Sequence, residues 1–482
     1  MGNDLKRKAV SSLVWRFMER CGAQGVSFVV SIVLARLLAP EVYGLIALVT
    51  VFTAILQVFV DSGMANALIQ KKDADDLDFS SVFFFNLVMC IALYLLLFFC
   101  APLIASFYHN PELTPVIRVL GVTLLIAGVK NVQQAYVSRT LQFKRFFFAT
   151  LGGTIGAAVI GIAMAYLGFG IWALVAQNLF NAAADTVILW LTVRWRPRLR
   201  FSFARLKGLL NYGWKLLVSA LLHSVYTNLR SLIIGKLYTP ADLAYYEKGQ
   251  SFPTLIVSNI NTSIDSVLLP TMSGMQDNRE TVKVITRRSI VTSSYLMWPM
   301  MVGLAVVAKP LVLLLLTEKW LMAVPFLQIT CFALGLEPLQ TANLNAIKAV
   351  GRSDIFLKLE IVKKTISITI LLLSMRFGVI AIALSGLLYS VIATMFNAAP
   401  NRKLLGYSYF EQAKDILPSF ALALLMGAVV YPISLISMPA ILVLCMQVLV
   451  GAAVYVAMSA ILKLEPFYYI LNTIKQLKRR SR

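Results

Sequence analysis

Apolar stretches of membrane-spanning length follow one another from residue 12 to residue 462, separated by turn signals such as "LAPEVYG", "YHNPELTP", "LGFG" and "YTPAD". A helix needs about 20 mostly apolar residues to cross the hydrocarbon core of a bilayer, and clusters of Pro, Gly and Asn mark turns. The pattern predicts fourteen spans, at residues 12–37, 42–69, 80–107, 114–138, 146–167, 171–193, 209–234, 242–269, 288–316, 322–347, 355–375, 378–400, 415–437 and 439–462.

The first and second halves of this pattern resemble each other. "ARLLAPEVYG" beginning at Ala35 and "GKLYTPADLA" beginning at Gly235 share a basic-Leu pair and a proline at an offset of 200, and "GFGIWAL" at 168–174 aligns with "RFGVIAI" at 376–382 at an offset of 208. A duplicated unit of six spans keeps the same orientation in both copies, so an axis along the membrane normal relates them. The last two spans fall outside the repeat.

The predicted fold is therefore an all-α membrane protein with two parallel-repeat six-helix lobes and a C-terminal helix pair. We expect an N-lobe at residues 1–200, a C-lobe at 201–405, the helix pair at 406–464 and a basic cytoplasmic tail at 465–482. The basic segment "RWRPRLRFSFARLKG" at 194–208 connects the lobes. It is interpreted as an interfacial anchor and topology signal, with direct contact to an anionic substrate as the alternative.

Composition supports a membrane protein. Of the 482 residues, 59% are hydrophobic and only 14% are charged, and the mean hydropathy is +0.78. A soluble domain is about half apolar and a quarter charged. In a soluble protein the net charge of +22 would suggest a nucleic-acid partner. Here it is attributed to the excess of Lys and Arg in cytoplasmic loops, and no nucleic acid is expected.

The distribution of basic residues predicts the orientation. Thirty fall on the side that carries both termini, and only five fall on the opposite side, namely Arg36, Lys236, Lys309, Lys319 and Arg376. By the positive-inside rule, both termini are cytoplasmic. The first apolar stretch is too long and too charged for a signal peptide, so it is predicted to stay as the first span.

Polar stripes run along several spans. Arg16, Arg20 and Gln24 follow one another at four-residue spacing, which places them on one helix face, and Glu19 is three residues from Arg16. A charge at the centre of a lipid-facing helix costs about 2.5 to 3.5 kcal/mol. Such a stripe therefore predicts a protein-lined or water-filled interior.

Corresponding stripes on other spans extend this interior to both lobes. We predict a shared cationic cavity whose substrate-binding residues are Arg16, Arg20, Gln24, Lys130, Lys215, His223, Arg230 and Asn261. The coupling or charge-balancing residues are predicted to be Glu19, Asp61, Glu247 and Asp265. The alternative for each is a buried polar group or ion pair that fixes helix packing, and for His223 a satisfied interior histidine.

Signatures of catalysis are absent from the sequence. There is no G-x-x-x-x-G-K-[ST] nucleotide-binding loop and no H-E-x-x-H zinc motif. The "DADD" at 73–76 contains a D-x-D that would suit a metal-bound sugar nucleotide, but beside Lys71 and Lys72 it is interpreted as a solvated loop. No enzyme activity, catalytic residue, metal site or cofactor is expected.

The motif "LARLLAPEVYG" at 34–44, followed by "DSGMANALIQ" at 61–70, and the arrangement of six, six and two spans resemble the polysaccharide flippases of the multidrug/oligosaccharidyl-lipid/polysaccharide superfamily, in particular the colanic acid and teichuronic acid exporter type. The resemblance implies a bacterial inner-membrane carrier that moves an undecaprenyl-pyrophosphate-linked oligosaccharide from the cytoplasmic to the periplasmic leaflet by alternating access. It also implies that the last two helices offer an apolar groove to the lipid tail, with a plain lipid-facing helix pair as the alternative. The partners that it implies are membrane lipids and a polysaccharide polymerase.

Two alternatives and the driving force stay open. A multidrug/cation antiporter of the same superfamily is disfavoured by the basic interior, and a membrane-embedded glycan polymerase is disfavoured by the short external loops. Outward movement of an anion gains about 2.3 kcal/mol per charge per 100 mV of inside-negative potential. Membrane potential alone is therefore sufficient, with coupling to H+ or Na+ as the alternative.

Overall fold

The protein is seen in a computed structural model that describes residues 2–61, 67–69, 71, 73–140, 142–436 and 438–480. Helices account for nearly all of these residues, and no strand occurs among them. In chain order the helices are α1 (Gly2–Leu37), α2 (Pro40–Asp61), α3 (Asp76–Phe107), α4 (Leu113–Leu120), α5 (Val122–Arg139), α6 (Lys144–Tyr166), α7 (Ile171–Thr192), α8 (Phe203–Leu237), α9 (Pro240–Ser273), α10 (Arg279–Val306), α11 (Ala308–Leu316), α12 (Val324–Leu334), α13 (Glu337–Ala349), α14 (Ser353–Ser374), α15 (Val379–Leu405), α16 (Tyr409–Val430), α17 (Ala440–Ile461) and α18 (Glu465–Arg480).

Eleven helical segments of the described chain are long and apolar enough to cross a membrane, which confirms an all-α membrane protein. The three predicted spans outside this set lie on α1, α9 and α14. All three helices carry charged or polar residues along their length, and α1 qualifies only as a shorter apolar helix at Cys21–Leu37. The number fourteen and the arrangement in lobes stay predictions.

Two predicted spans are each built from more than one helix. The fourth is α4 followed by α5, which meet at Gly121, and the tenth includes α12 and α13, which meet at Gly335. Gly121 lies between apolar residues, so hydropathy gives no signal of the first break, whereas Glu337 and Pro338 follow closely after Gly335. The short helix α11 similarly continues the ninth span beyond α10.

Side-chain caps define the starts of four helices. Asp75 caps α3 and Ser408 caps α16, each in a reciprocal capping box, while Ser202 and Asn278 cap α8 and α10. These side chains accept hydrogen bonds from N–H groups that a helix start otherwise leaves unsatisfied. All four helices begin on the side predicted to be cytoplasmic.

The chain forms two compact units, Met1–Ala244 (unit 1) and Tyr245–Arg482 (unit 2). Unit 1 contains an aromatic core in which the ring centroids of Phe79, Phe83 and Tyr136 each lie within 6.5 Å of the Trp195 ring centroid. Trp195 belongs to the connector after α7, so this part of the predicted basic connector is a component of the core. The predicted division at residue 200 stays a prediction.

The core of unit 2 includes the last two predicted spans. On α10, the Tyr295 hydroxyl donates to Ser459 Oγ at 2.8 Å, and the Tyr455 hydroxyl of α17 donates to the Tyr295 carbonyl at 2.8 Å. Trp298 packs edge-on against Phe420 of α16, with ring centroids 4.4 Å apart. The C-terminal helix pair therefore packs into one hydrophobic core with α10 and α13.

The connector between α7 and α8 lies against the first turn of α3. Ser80 Oγ accepts from the Arg198 N–H at 3.0 Å and Ser81 Oγ accepts from the Ser202 N–H at 2.9 Å. The side chain of Gln133 donates to the Trp195 carbonyl at 3.0 Å. These bonds satisfy irregular backbone that would otherwise lose its hydrogen bonds on burial.

Acidic residues at the start of α3 hold the same connector electrostatically. Asp78 is fully buried and accepts from Lys71 Nζ at 2.6 Å, and Arg205 lies 3.6 Å from it. Asp75 and Asp76 of the "DADD" stretch are exposed, as expected of a solvated loop. The hydrogen bond from the Asp78 N–H, together with nearby Arg205 and Lys71, holds the pKa of the Asp75 carboxyl below its usual range.

Candidate functional site

A polar cluster lies inside unit 1 where α2, α5 and α7 meet. The Asn131 side-chain amide donates to the Val60 carbonyl at 2.8 Å and to Asp61 Oδ1 at 2.9 Å. Gln57 on the preceding turn of α2 donates to the same Asp61 oxygen at 3.2 Å. Amide donors thus hold the Asp61 carboxylate. We refer to Gln57, Asp61, Lys130, Asn131 and Asp185 as the Asp61 cluster.

The positive charge of this cluster is already paired. Lys130 Nζ lies 2.9 Å from Asp185 Oδ2, and the two side chains are only 21% and 13% exposed. Since a low-dielectric surrounding strengthens such a pair, a phosphate bound by Lys130 would compete with Asp185 for the ammonium group. The structure therefore brings the predicted residues Asp61 and Lys130 together, but it gives Lys130 a carboxylate partner.

Sequence reasoning missed Asp185. It is the one acidic residue of α7, in "NAAADTVILW", and forms no stripe with other charged positions. A signal was available, because a lone carboxylate in an otherwise apolar span needs a partner. Lys130, on a span of the same predicted lobe, was the obvious candidate.

Unit 2 contains a matching carboxylate–amide pair. The Asn345 amide on α13 donates to Asp265 Oδ1 on α9 at 2.7 Å. Asn345 lies ten residues after the break at Gly335, just as Asn131 lies ten residues after Gly121. The second and fourth spans of each predicted repeat are therefore joined by the same type of hydrogen bond.

The remaining predicted residues are distributed as follows. Arg16 and Arg20 lie on α1, but their side chains fall outside the described residues. Glu19 is 9% exposed and accepts from Thr150 Oγ1 of α6 at 3.4 Å. The exposed residues are Gln24, Lys215 and His223, and the half-buried residues are Arg230, Glu247 and Asn261. The common cavity stays a prediction.

Two half-buried side chains carry polar atoms without partners among the described residues. On α8, Nε and Nη2 of Arg230 are buried and make no hydrogen bond there. On α9, the same holds for Oδ1 of Asn261. Buried polar groups in proteins nearly always have a partner, so both positions have unused capacity for a polar ligand.

An apolar groove crosses unit 2 between α10, α16 and α17. Its volume is about 460 Å³, and Gly303, Gly427 and Gly451 are among its lining residues. A Cβ on Gly427 would lie 2.8 Å from Val302 Cγ1, which shows how closely the helices approach there. Apart from Gln447, the lining is hydrocarbon or methionine and tyrosine side chains. The groove suits an aliphatic chain.

A second cavity of about 760 Å³ lies between α9 and α10. Its apolar part is formed by residues such as Ile264, Val267 and Leu296, and Arg288 and Tyr469 also line it. The Arg288 guanidinium lies 4.8 Å from the centroid of the Tyr469 ring. Within the described part of the chain, no three His, Cys, Asp or Glu side chains are arranged to hold a metal ion.

The described chain has the fold of an all-α membrane protein with many spans. The structure is similar to the lipid II flippase MurJ in an inward closed conformation, with a TM-score of 0.75 and 14% identity over 94% of this chain and 98% of that one. It is also similar to an inward-facing multidrug resistance MATE family transporter, with a TM-score of 0.61 and 17% identity over 79% of this chain and 94% of that one. At these identities the likeness concerns the fold.

The chain belongs to the polysaccharide biosynthesis protein family, whose model matches residues 33–325. It is 24% identical to the lipopolysaccharide biosynthesis protein WzxC of Escherichia coli, over 86% of this chain and 83% of that protein. It is 25% identical to the succinoglycan biosynthesis transport protein ExoT of Rhizobium meliloti (71% and 69%), and 24% identical to the teichuronic acid biosynthesis protein TuaB of Bacillus subtilis (84% and 85%).

These comparisons confirm the resemblance to polysaccharide flippases. ExoT is named a transport protein, and the two solved neighbours are a flippase and a transporter. The comparisons therefore agree with a transport protein rather than an enzyme.

Proposed function

We propose that the protein is a bacterial inner-membrane flippase. It moves an undecaprenyl-pyrophosphate-linked oligosaccharide from the cytoplasmic to the periplasmic leaflet, by alternating access, for surface polysaccharide biosynthesis. The observation that carries the proposal is the combination of a flippase fold along 94% of the chain with a family and relatives named for polysaccharide biosynthesis. Both termini are cytoplasmic, and the polymerase that consumes the glycan is the expected partner.

The pyrophosphate is bound by the basic residues of α1 and α8. Arg16 and Arg20 come first in this proposal because arginine binds phosphate oxygens through two parallel N–H groups. Lys215 lies on the corresponding helix of the second repeat, and its exposed side chain is accessible. The unpartnered guanidinium atoms of Arg230 offer a further anion contact. Lys130 takes part only if Asp185 releases it.

The polyprenyl tail occupies the apolar groove between α10, α16 and α17. Apolar contacts have no preferred direction, so a long hydrocarbon chain can slide along the groove without breaking hydrogen bonds. The exposed polar side chains of the stripes, such as Gln24 and His223, contact the glycan. Head group and tail are thus bound by separate surfaces.

Membrane potential drives the step. Two net negative charges moving outward gain about 4 to 5 kcal/mol per 100 mV. Coupling to H+ or Na+ is the alternative mechanism. Asp61 and Asp265 are then the candidate coupling residues, because each is held by an asparagine amide and has no direct basic partner among its described contacts.

The test replaces both Arg16 and Arg20 with alanine in a strain that depends on this carrier. We expect surface polysaccharide to fall at least about tenfold, since losing two charge-assisted contacts costs about 3 kcal/mol or more, while the double lysine variant keeps part of the activity. The control removes two exposed basic residues at the end of α15, Arg402 and Lys403. Near-normal polysaccharide in the double alanine strain, at equal protein level, would contradict the assignment.

The similarity to a MATE family transporter favours a second candidate, a multidrug/cation antiporter. In that case the Asp61 cluster binds the cation, and deletion of the protein sensitises cells to cationic drugs. Unchanged drug sensitivity together with lost polysaccharide rules out this candidate.

A further inference from the structure

The two motifs that define the sequence repeat meet inside unit 1. The turn between α1 and α2 contains "LLAPEVYG", and the turn between α8 and α9 contains "KLYTPADL". Gly44 on α2 faces the backbone of Pro240, and a Cβ built on Gly44 would lie 1.7 Å from the Pro240 carbonyl oxygen. Two main chains therefore touch with no side chain between them.

A second glycine completes this contact from the other side. A Cβ on Gly235 of α8 would lie 2.1 Å from Leu48 Cδ2 of α2, and Leu48 is only 2% exposed. The positions related to these glycines by the 200-residue offset are Ala35 and Ala244, which are also small and buried. Small residues thus occupy all four repeat-related positions.

The turn between α3 and α4 holds the same end of α8. Lys236 Nζ donates to the Phe107 carbonyl, lies 4.2 Å from the centroid of the Phe107 ring and is 3.3 Å from His109 Nε2. The Tyr108 hydroxyl donates to the Leu232 carbonyl at 3.5 Å. A carbonyl and a ring face attract an ammonium less strongly than a buried carboxylate does, so this attachment is suited to repeated release.

We propose that these contacts form the external gate of the carrier, closed in the described conformation. The gate comprises Gly44, Leu48, Gly235, Lys236 and Phe107. This inference rests on the proposed function for its role in transport, and on the predicted topology, which places Arg36 and Lys236 outside. Separating the α2 and α8 ends opens a path from the periplasm toward the polar stripe of α8. The glycines make the closed state possible because any larger residue holds the ends apart.

The experiment measures external access directly and needs no substrate. A single cysteine replaces Thr227, an exposed residue eight positions before Gly235, about 12 Å inward along α8, in a background where the five native cysteines are alanine. Spheroplasts are treated with a membrane-impermeant maleimide. We expect Gly44→Ala and Gly235→Ala each to raise the labelling rate at least about fivefold, because the added methyl groups destabilise the closed gate.

Matched controls separate the gate from general damage. Gly208→Ala lies on the same helix, where a Cβ meets nothing within 4 Å, and should leave labelling unchanged. Leu48→Ala combined with Gly235→Ala should bring the rate back toward that of the parent, since it removes the clashing methyl group. Lys236→Met removes the ammonium contacts with Phe107 without adding volume, and it should also raise the labelling rate. This variant serves as the test if the glycine variants fail to fold.

Labelling at the parental rate in folded Gly44→Ala and Gly235→Ala variants, or in the Lys236→Met variant if those do not fold, would overturn the gate. Failure of the proposed flippase function would give a different experimental result. In that case the labelling changes occur as described, but glycan export is normal without the protein.

Discussion

At the scale of single residues, Asn131 is the member of the Asp61 cluster whose side chain donates to two acceptors on α2. It is 3% exposed, and its amide serves both the end of α2 and a carboxylate. We expect Asn131→Leu to destabilise the protein by about 1 to 3 kcal/mol, because the Val60 carbonyl loses its side-chain donor and Asp61 loses one of its two amide donors. Thermal unfolding in detergent measures this.

Asn178→Leu is the control, because among the described residues Asn178 donates only to the carbonyl of Leu174 on its own helix. Equal melting temperatures for the two variants would show that the Asn131 hydrogen bonds contribute nothing specific. Asn345→Leu should reproduce the Asn131 result in unit 2.

The Lys130–Asp185 pair distinguishes a structural from a functional lysine. Removing one partner leaves the other charge unpaired in a poorly solvated place, so Lys130→Met and Asp185→Leu should each destabilise by up to about 3 kcal/mol. The double variant should be more stable than either single one. If Lys130 serves only in packing, the double variant exports glycan. If it binds pyrophosphate, the double variant folds but does not export.

At the scale of elements, the sequence predicted the existence of helices better than their interruptions. Hydropathy identified the spans because burial in lipid requires continuous apolar length. It passed over the breaks at Gly121 and Gly335, because a hydropathy window averages over about 20 residues and one glycine changes that average little. The connector was treated as a surface anchor, because its arginines are visible in the sequence whereas the insertion of Trp195 into an aromatic core depends on tertiary packing.

The connector provides a prediction at this scale. Asp78→Ala leaves Lys71 and the Asp75 N–H without their partner, so the start of α3 should release the connector. Trypsin, which cleaves after Arg and Lys, should then cut between residues 194 and 208 at least about tenfold faster. Asp73→Ala, which changes an exposed acidic residue of the same loop, should digest like the parent. Unchanged digestion of the Asp78 variant would contradict the role of Asp78 in holding the connector.

At the scale of the whole molecule, the orientation is the property that charge alone predicts. Alkaline phosphatase, which is active only outside the cytoplasm, should be active when fused after Arg376 and inactive when fused after Arg402. A fluorescent protein fused to the C-terminus should fluoresce. The opposite pattern would invert the topology and would place the Gly44 contact on the cytoplasmic side.

The family was accessible from sequence because its motif "LARLLAPEVYG" at 34–44 is a continuous string of residues. The partner of a charge was less accessible, as Lys130 and Asp185 are 55 positions apart and on separate helices. Sequence spacing identifies neighbours on one helix, whereas pairs between helices depend on rotation and depth. The predicted cavity residues therefore indicate which face of each helix is polar, but not which side chains on different helices contact each other.

The shared core of unit 2 has a consequence for how such a chain can be shortened. A stop codon after Leu405 would remove α16 and α17, the last two predicted spans, and would leave the two predicted six-span lobes. Yet Trp298 and Tyr295 would lose Phe420, Tyr455 and Ser459, the side chains that cover them. The truncated product would expose the Trp298 and Tyr295 side chains to lipid. Quality-control proteases would be expected to degrade it before any transport defect became measurable.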